Sequence, residues 1–138
     1  MRCSLVLAVL AVAGCGGSPP SAESVVRAWS ASLNSGDTAA AARLFAHDAT
    51  VVRDGQVRKL RSYNAARGWN AGLRWCGRLV SVEEIGATVR AVFVLRERQE
   101  FGCTGPGERA HTLFRVRDGK IVLWHQLEQA PQPGEESA

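Results

Sequence analysis

Residues 39–51 read AAAARLFAHDATV, and this stretch changes period halfway along. Its first half is alanine-rich, with Ala41, Leu44 and Phe45 on one apolar side at helical spacing. Its second half turns to β-branched residues in a run that suits a strand. Asp37 stands where it can cap the helix. The reading is therefore a short helix from Thr38 to about Ala46 that passes into a strand over Ala49–Arg53. Asp54-Gly55 is a strong two-residue hairpin signal, and the chain returns over Gln56–Leu60.

Upstream, Ser21 can cap a first helix, on which Val25, Trp29 and Leu33 recur every fourth residue with Val26 beside them. Asn34-Ser35-Gly36 ends it, with Gly36 suited to the left-handed position after a helix. Downstream, Ser62 begins a third helix carrying Tyr63, Ala66, Trp69 and Leu73. Gly68 and Gly72 weaken that helix by up to about 1 kcal/mol each relative to alanine, or else permit close backbone packing. Strands are expected over Trp75–Ile85 and Thr88–Gln99, then a glycine-rich loop over Phe101–Glu108, then a hairpin of Ala110–Arg117 and Lys120–Glu128 around Asp118-Gly119. Centring that turn puts His111 roughly opposite Gln126. The order predicts an α+β domain: a strongly curved, mostly antiparallel sheet wraps three helices from the N-terminal half into a cone, leaving a pocket at its open end.

The amino terminus reads differently. Arg2 supplies positive charge, Leu5–Ala13 is a short apolar run, and small residues lead to Cys15. The run is too short to span a bilayer as a mature helix. Val12-Ala13-Gly14-Cys15 resembles the bacterial lipoprotein box, in which the cysteine is acylated and becomes the first mature residue. The expected organisation is a signal peptide over 1–14, a lipidated tether over 15–20, a domain over 21–129 and a disordered tail over 130–138. The product would then be exported and anchored by lipid to the outer face of the cell membrane. Cys3 would leave with the signal, so Cys76 and Cys103 remain as an even pair for an oxidising compartment. A disulfide between them would contribute roughly 3–4 kcal/mol on the chain-entropy argument; two free thiols are the alternative. The net charge of +4 is small and scattered, and its densest cluster, Arg58, Lys59 and Arg61, is not a nucleic-acid arm.

The phrases VVRAWSASLNSGD (Val25–Asp37), AAAARLFAHDATV (Ala39–Val51) and FRVRDGKIVLWHQLEQ (Phe114–Gln129) carry a resemblance. Residues 23–128 resemble the nuclear-transport-factor-2-like superfamily, which includes SnoaL-like polyketide cyclases and ketosteroid isomerases. The resemblance implies a cystatin-like roll with a deep pocket, often a homodimer through the sheet. Ketosteroid isomerases use a first-helix tyrosine, a buried aspartic acid and a second, proton-moving aspartate. Here the tyrosine slot holds Trp29 and the proton-moving slot holds Arg53, with Asp54 one residue late and so on the opposite face. No carboxylate stands near Thr112, where the remaining acid is expected.

Candidate chemistry is therefore sparse. Asp48 is either a general base or a carboxylate that receives backbone N–H groups. His111 and His125 are either proton shuttles or structural strand histidines. Trp29, Tyr63, Trp69 and Trp124 are candidates to line a pocket for a flat apolar molecule, and Arg53 is a candidate anion holder or an exposed strand arginine. His47 stands apart, no metal triad is evident, and no cofactor motif is present. The expected function is a membrane-anchored domain that binds a small apolar or weakly acidic molecule, or a partner protein, without a recognisable catalytic set. The alternative is a SnoaL-like or ketosteroid-isomerase-like enzyme using acid–base chemistry in the cone.

Overall fold

The computed structural model of the protein describes residues 17–99, 102–103 and 107–128. The expected signal segment, Cys15 and the tail from 130 onward lie outside the described residues. Helix α1 (Ala22–Asn34) is capped by Ser21, whose hydroxyl accepts from the Ser24 N–H. It buries Val25, Val26, Trp29 and Leu33 in one stripe. Its end is a Schellman motif: Gly36 N donates to Leu33 O, Asp37 N donates to Ser32 O, and Gly36 adopts φ 74°. Asp37 then caps α2 (Thr38–Arg43) through the Ala40 N–H.

The second helix stops earlier than Ala46. Leu44 is its C-cap, and β1 (Phe45–Arg53) begins at once. The cause is long-range. Phe45 pairs with Ile121, whose N–H donates to Leu44 O at 2.8 Å, so the last strand of the chain captures the carbonyl that would have continued the helix. The register shifts between Phe45 and Thr50, and Asp48 sits within that irregularity at φ 62°.

Strand β2 (Gln56–Leu60) returns through Asp54-Gly55, both at positive φ, as a type I′ turn requires. Helix α3 (Tyr63–Ala71) is capped by Ser62. The remaining strands are β3 (Trp75–Ile85), β4 (Thr88–Gln99), the two-residue β5 (Gly102–Cys103), β6 (Glu108–Arg117) and β7 (Lys120–Leu127). The fold is α+β, and its open sheet has a main path in the order β2-β1-β7-β6-β4-β3, with β5 paired to β4. All described pairings are antiparallel except β1 with β7. Register shifts at Leu79/Ser81 and Arg115/Val116 bend the sheet around the helices. The second of these moves the closing hairpin by one residue, so His111 faces Leu127 and Thr112 faces Gln126.

The interior is built around Trp29, which is 0 % exposed and makes edge-on contacts with Trp75, Phe93, Phe114 and Trp124 at centroid separations of 5.4–6.3 Å. Its indole N–H donates to Asn70 Oδ1 at 2.9 Å, and the Asn70 amide donates onward to Ala66 O. A second pin holds α1 to the sheet: Asn34 donates to Gly77 O and accepts from Gly77 N, at 2.8 and 2.9 Å. Gly77 has no room for a side chain, since a Cβ there would lie 2.8 Å from Leu95 Cδ2. Cys76 and Cys103 form a disulfide with a Cα separation of 5.9 Å, joining β3 to β5.

Two outcomes follow. Trp29→Phe keeps most of the ring packing but strands the Asn70 carbonyl oxygen, and should cost about 1–3 kcal/mol. Thermal unfolding should show this as a clear drop in Tm, and Asn70→Ala on the Trp29→Phe background should cost less than it does alone. The double variant Cys76→Ser/Cys103→Ser should lose roughly 3 kcal/mol in urea titrations without loss of the folded baseline.

Candidate functional site

Strand alternation sorts the residues into two faces. Ala49, Val51 and Arg53 on β1, Trp124 and Gln126 on β7, and Ala110, Thr112 and Phe114 on β6 share the face turned to the helices. Thr50, Val52, Leu123, His125, His111 and Leu113 lie on the other face. The described helices pack on the inner face alone, and at the open end of the roll they leave a cleft.

The cleft has two lobes. One, of about 390 Å³, lies between α3 and the β1–β2 hairpin and is lined by Val51, Arg53, Val57, Arg58, Gly68 and Trp69 among others. The other, of about 580 Å³, lies past the end of α3 against β3, β4 and β6, with Arg74, Trp75, Leu95, Arg96 and Glu108 in its wall. Both include Arg53 and Gly72, which mark where they meet. The helix glycines matter here: an added Cβ at Gly68 meets nothing within 4 Å, so this position opens directly onto the lobe.

Behind the first lobe stands Trp124. Its partner on β1 is Val51, and its ring contacts Trp69 edge-on at 4.8 Å between centroids. Trp124 is 0 % exposed, and its Nε1 has no hydrogen-bond partner among the described residues. The same holds for the buried Oε1 of Gln126, two residues farther along the inner face. An unpaired buried polar atom costs about 1–3 kcal/mol. Both lie on the inner face of β7.

Of the pocket candidates, Arg53 and Trp69 line the cleft. Trp29 and Trp124 are wholly buried in the core behind it. Tyr63 opens α3 at 43 % exposure and is absent from the walls of both lobes. None of the catalytic candidates lines either lobe. Asp48 lies in the β1 irregularity with its carboxylate toward the surface, 3.0 Å from His47 Nδ1 and 3.8 Å from Arg61 Nη1. His111 and His125 occupy the outer face of the sheet. Trp75 and Gly68 were not singled out as cleft residues by their sequence context. Trp75 opens a strand, and the period of Tyr63, Ala66, Trp69 and Leu73 marks the packed side of α3 but not what lies beside Gly68. Among the described residues, no group of three His, Cys, Asp or Glu side chains could hold a metal ion, and no helix is long and apolar enough to cross a membrane.

Comparison with known proteins places this geometry. The model of the SnoaL-like domain matches residues 26–124. No curated protein sequence matches the chain. Among solved structures, a candidate polyketide cyclase from Sinorhizobium meliloti is 18 % identical with a TM-score of 0.63, over 75 % of this chain and 94 % of that one. A protein of ketosteroid isomerase-like fold from Catenulispora acidiphila, solved in complex with trimethylamine, is 21 % identical with a TM-score of 0.63, over 76 % and 85 %. A candidate ketosteroid isomerase from Kribbella flavida is 16 % identical with a TM-score of 0.64, over 83 % and 84 %. At these identities the likeness is one of fold.

Asp48 is surface-held and at positive φ, a backbone state that Asn also tolerates. Asp48→Asn should therefore leave stability within about 0.5 kcal/mol by denaturant titration.

Proposed function

We propose a ligand-binding role for this chain, which belongs to the SnoaL-like domain family: the open end of its roll holds a small molecule with a flat apolar body. The observation that carries this is the two-lobed cleft, with an indole in each lobe, Trp69 and Trp75. A flat apolar ligand gains by covering indole surface, at about 25 cal/mol per Å² of apolar area removed from water.

Binding is favoured over catalysis because the acid–base candidates do not meet there. Asp48, His111 and His125 line neither lobe of the cleft, and the two histidines, diagonal neighbours on β6 and β7, lie on the outer face of the sheet. The carboxylates that do reach it, Asp54, Glu97 and Glu108, stand at the rim among arginines.

The same reading carries export. The resemblance of Val12–Cys15 to a lipoprotein box supports a domain tethered to the outer face of the membrane through acylated Cys15. In that setting the Cys76–Cys103 disulfide persists.

Two measurements check these readings. Gly68→Leu should fill the first lobe and keep or raise Tm, because leucine is the better helix former by up to about 1 kcal/mol. It should also abolish the tryptophan-fluorescence response to planar apolar compounds that bind the native protein. A Gly68→Leu variant that binds such compounds as well as the native protein would place the ligand elsewhere. Expression of the full chain with radiolabelled palmitate should label the protein, and Cys15→Ala should remove the label. An unlabelled full-length product would refute the lipoprotein assignment.

A further inference from the structure

The charge around the cleft is uneven in a way that specifies the ligand further. Arg53, Arg58, Arg74 and Arg96 line its two lobes. Arg53 leans toward Asp54, its Nε 3.4 Å from the carboxylate, across an exposed turn. Arg58, Arg74 and Arg96 form no ion pair with any described residue, although Glu97 and Glu108 share a lobe with two of them. Guanidinium groups are thus left with free donors at the mouth.

Arg53 holds the central position. It is the residue on the sheet that both lobes have in common. It follows Val51 by two residues on the inner face of β1, so its backbone lies about 7 Å along the strand from the partner of Trp124. Arg53 offers a planar fork of donors suited to two oxygens, and Trp69 lines the same lobe. A donor of this kind, with an indole beside it, matches an acceptor-rich head on a flat body.

Building on the binding role above, we infer that the ligand is a flat aromatic carboxylic acid, bound as its anion with the carboxylate on Arg53 and the ring against Trp69. The arrangement selects acids over alcohols and amines of the same shape. A carboxylate takes two parallel N–H bonds from one guanidinium, whereas an alcohol takes one and an ammonium is repelled. Arg53 acts here as a binding residue, and its weak surface pairing with Asp54 is easily exchanged for a ligand.

The test uses the native protein and two probes of equal size, 2-naphthoate and 2-naphthylmethanol, followed by tryptophan fluorescence at low and high salt. Naphthoate should bind at least about tenfold more tightly than the alcohol, and that preference should shrink as salt rises. Arg53→Gln should bring the two probes to within about threefold, chiefly by weakening naphthoate. Arg53→Lys should recover part of the preference, having the charge without the fork. Equal affinities in the native protein would overturn the acid assignment and leave the binding role standing. A native preference that survives Arg53→Gln would also overturn it, by placing the anion on another arginine. Binding of neither probe would overturn both.

Discussion

The hydrogen bond from Trp29 Nε1 to Asn70 Oδ1 is the interaction on which the interior depends. Trp29 comes from α1, Asn70 from α3, and the rings around Trp29 come from β3, β4, β6 and β7. One buried polar contact therefore fixes the spacing of two helices against four strands. It also satisfies the only polar atom of a side chain that otherwise packs as hydrocarbon. Asn70, in turn, spends its amide on Ala66 O within its own helix, so its carbonyl is held in place for the indole. With α3 set in this way, Gly68, Trp69 and Gly72 are presented along the cleft.

The cleft is thus a by-product of how the core is filled. Trp29 and Trp124 occupy the closed end, and the space left over lies beyond Trp69 and Trp75. The volume is divided by Arg53 and Gly72. Its lining combines the indoles of Trp69 and Trp75 with the guanidinium groups of Arg53, Arg58, Arg74 and Arg96.

Much of the fold was legible because local signals agreed with the long-range ones. Ser21, Asp37 and Ser62 cap helices as their positions suggest, and Asp54-Gly55 and Asp118-Gly119 form the turns their chemistry demands. Trp75–Ile85 and Thr88–Gln99 are strands with the boundaries read from composition. Where the reading departed from the structure, a distant partner decided. Helical spacing favoured Leu44 and Phe45 as helix, yet Ile121 pairs there and ends it. The irregularity at Arg115/Val116 shifted His111 from Gln126 to Leu127, and nothing local marks an extra residue. The site was harder to see. Arg53 and Trp69 stand out by type, but Trp75, Gly68 and the unpartnered atoms of Trp124 and Gln126 gain their meaning only from what the fold puts beside them.

The single parallel pairing among the described strands, β1 against β7, has a temporal side. The hairpin of residues 45–60 joins the sheet only through the last strand of the domain, so it has no sheet to join until residues 121–127 are available. Contact order is therefore concentrated at this one seam, and the search for it should limit the folding rate. A nascent chain would carry its first hairpin exposed until the carboxyl-terminal strand arrives. Closure in one late step, once that strand is present, is the behaviour this wiring favours.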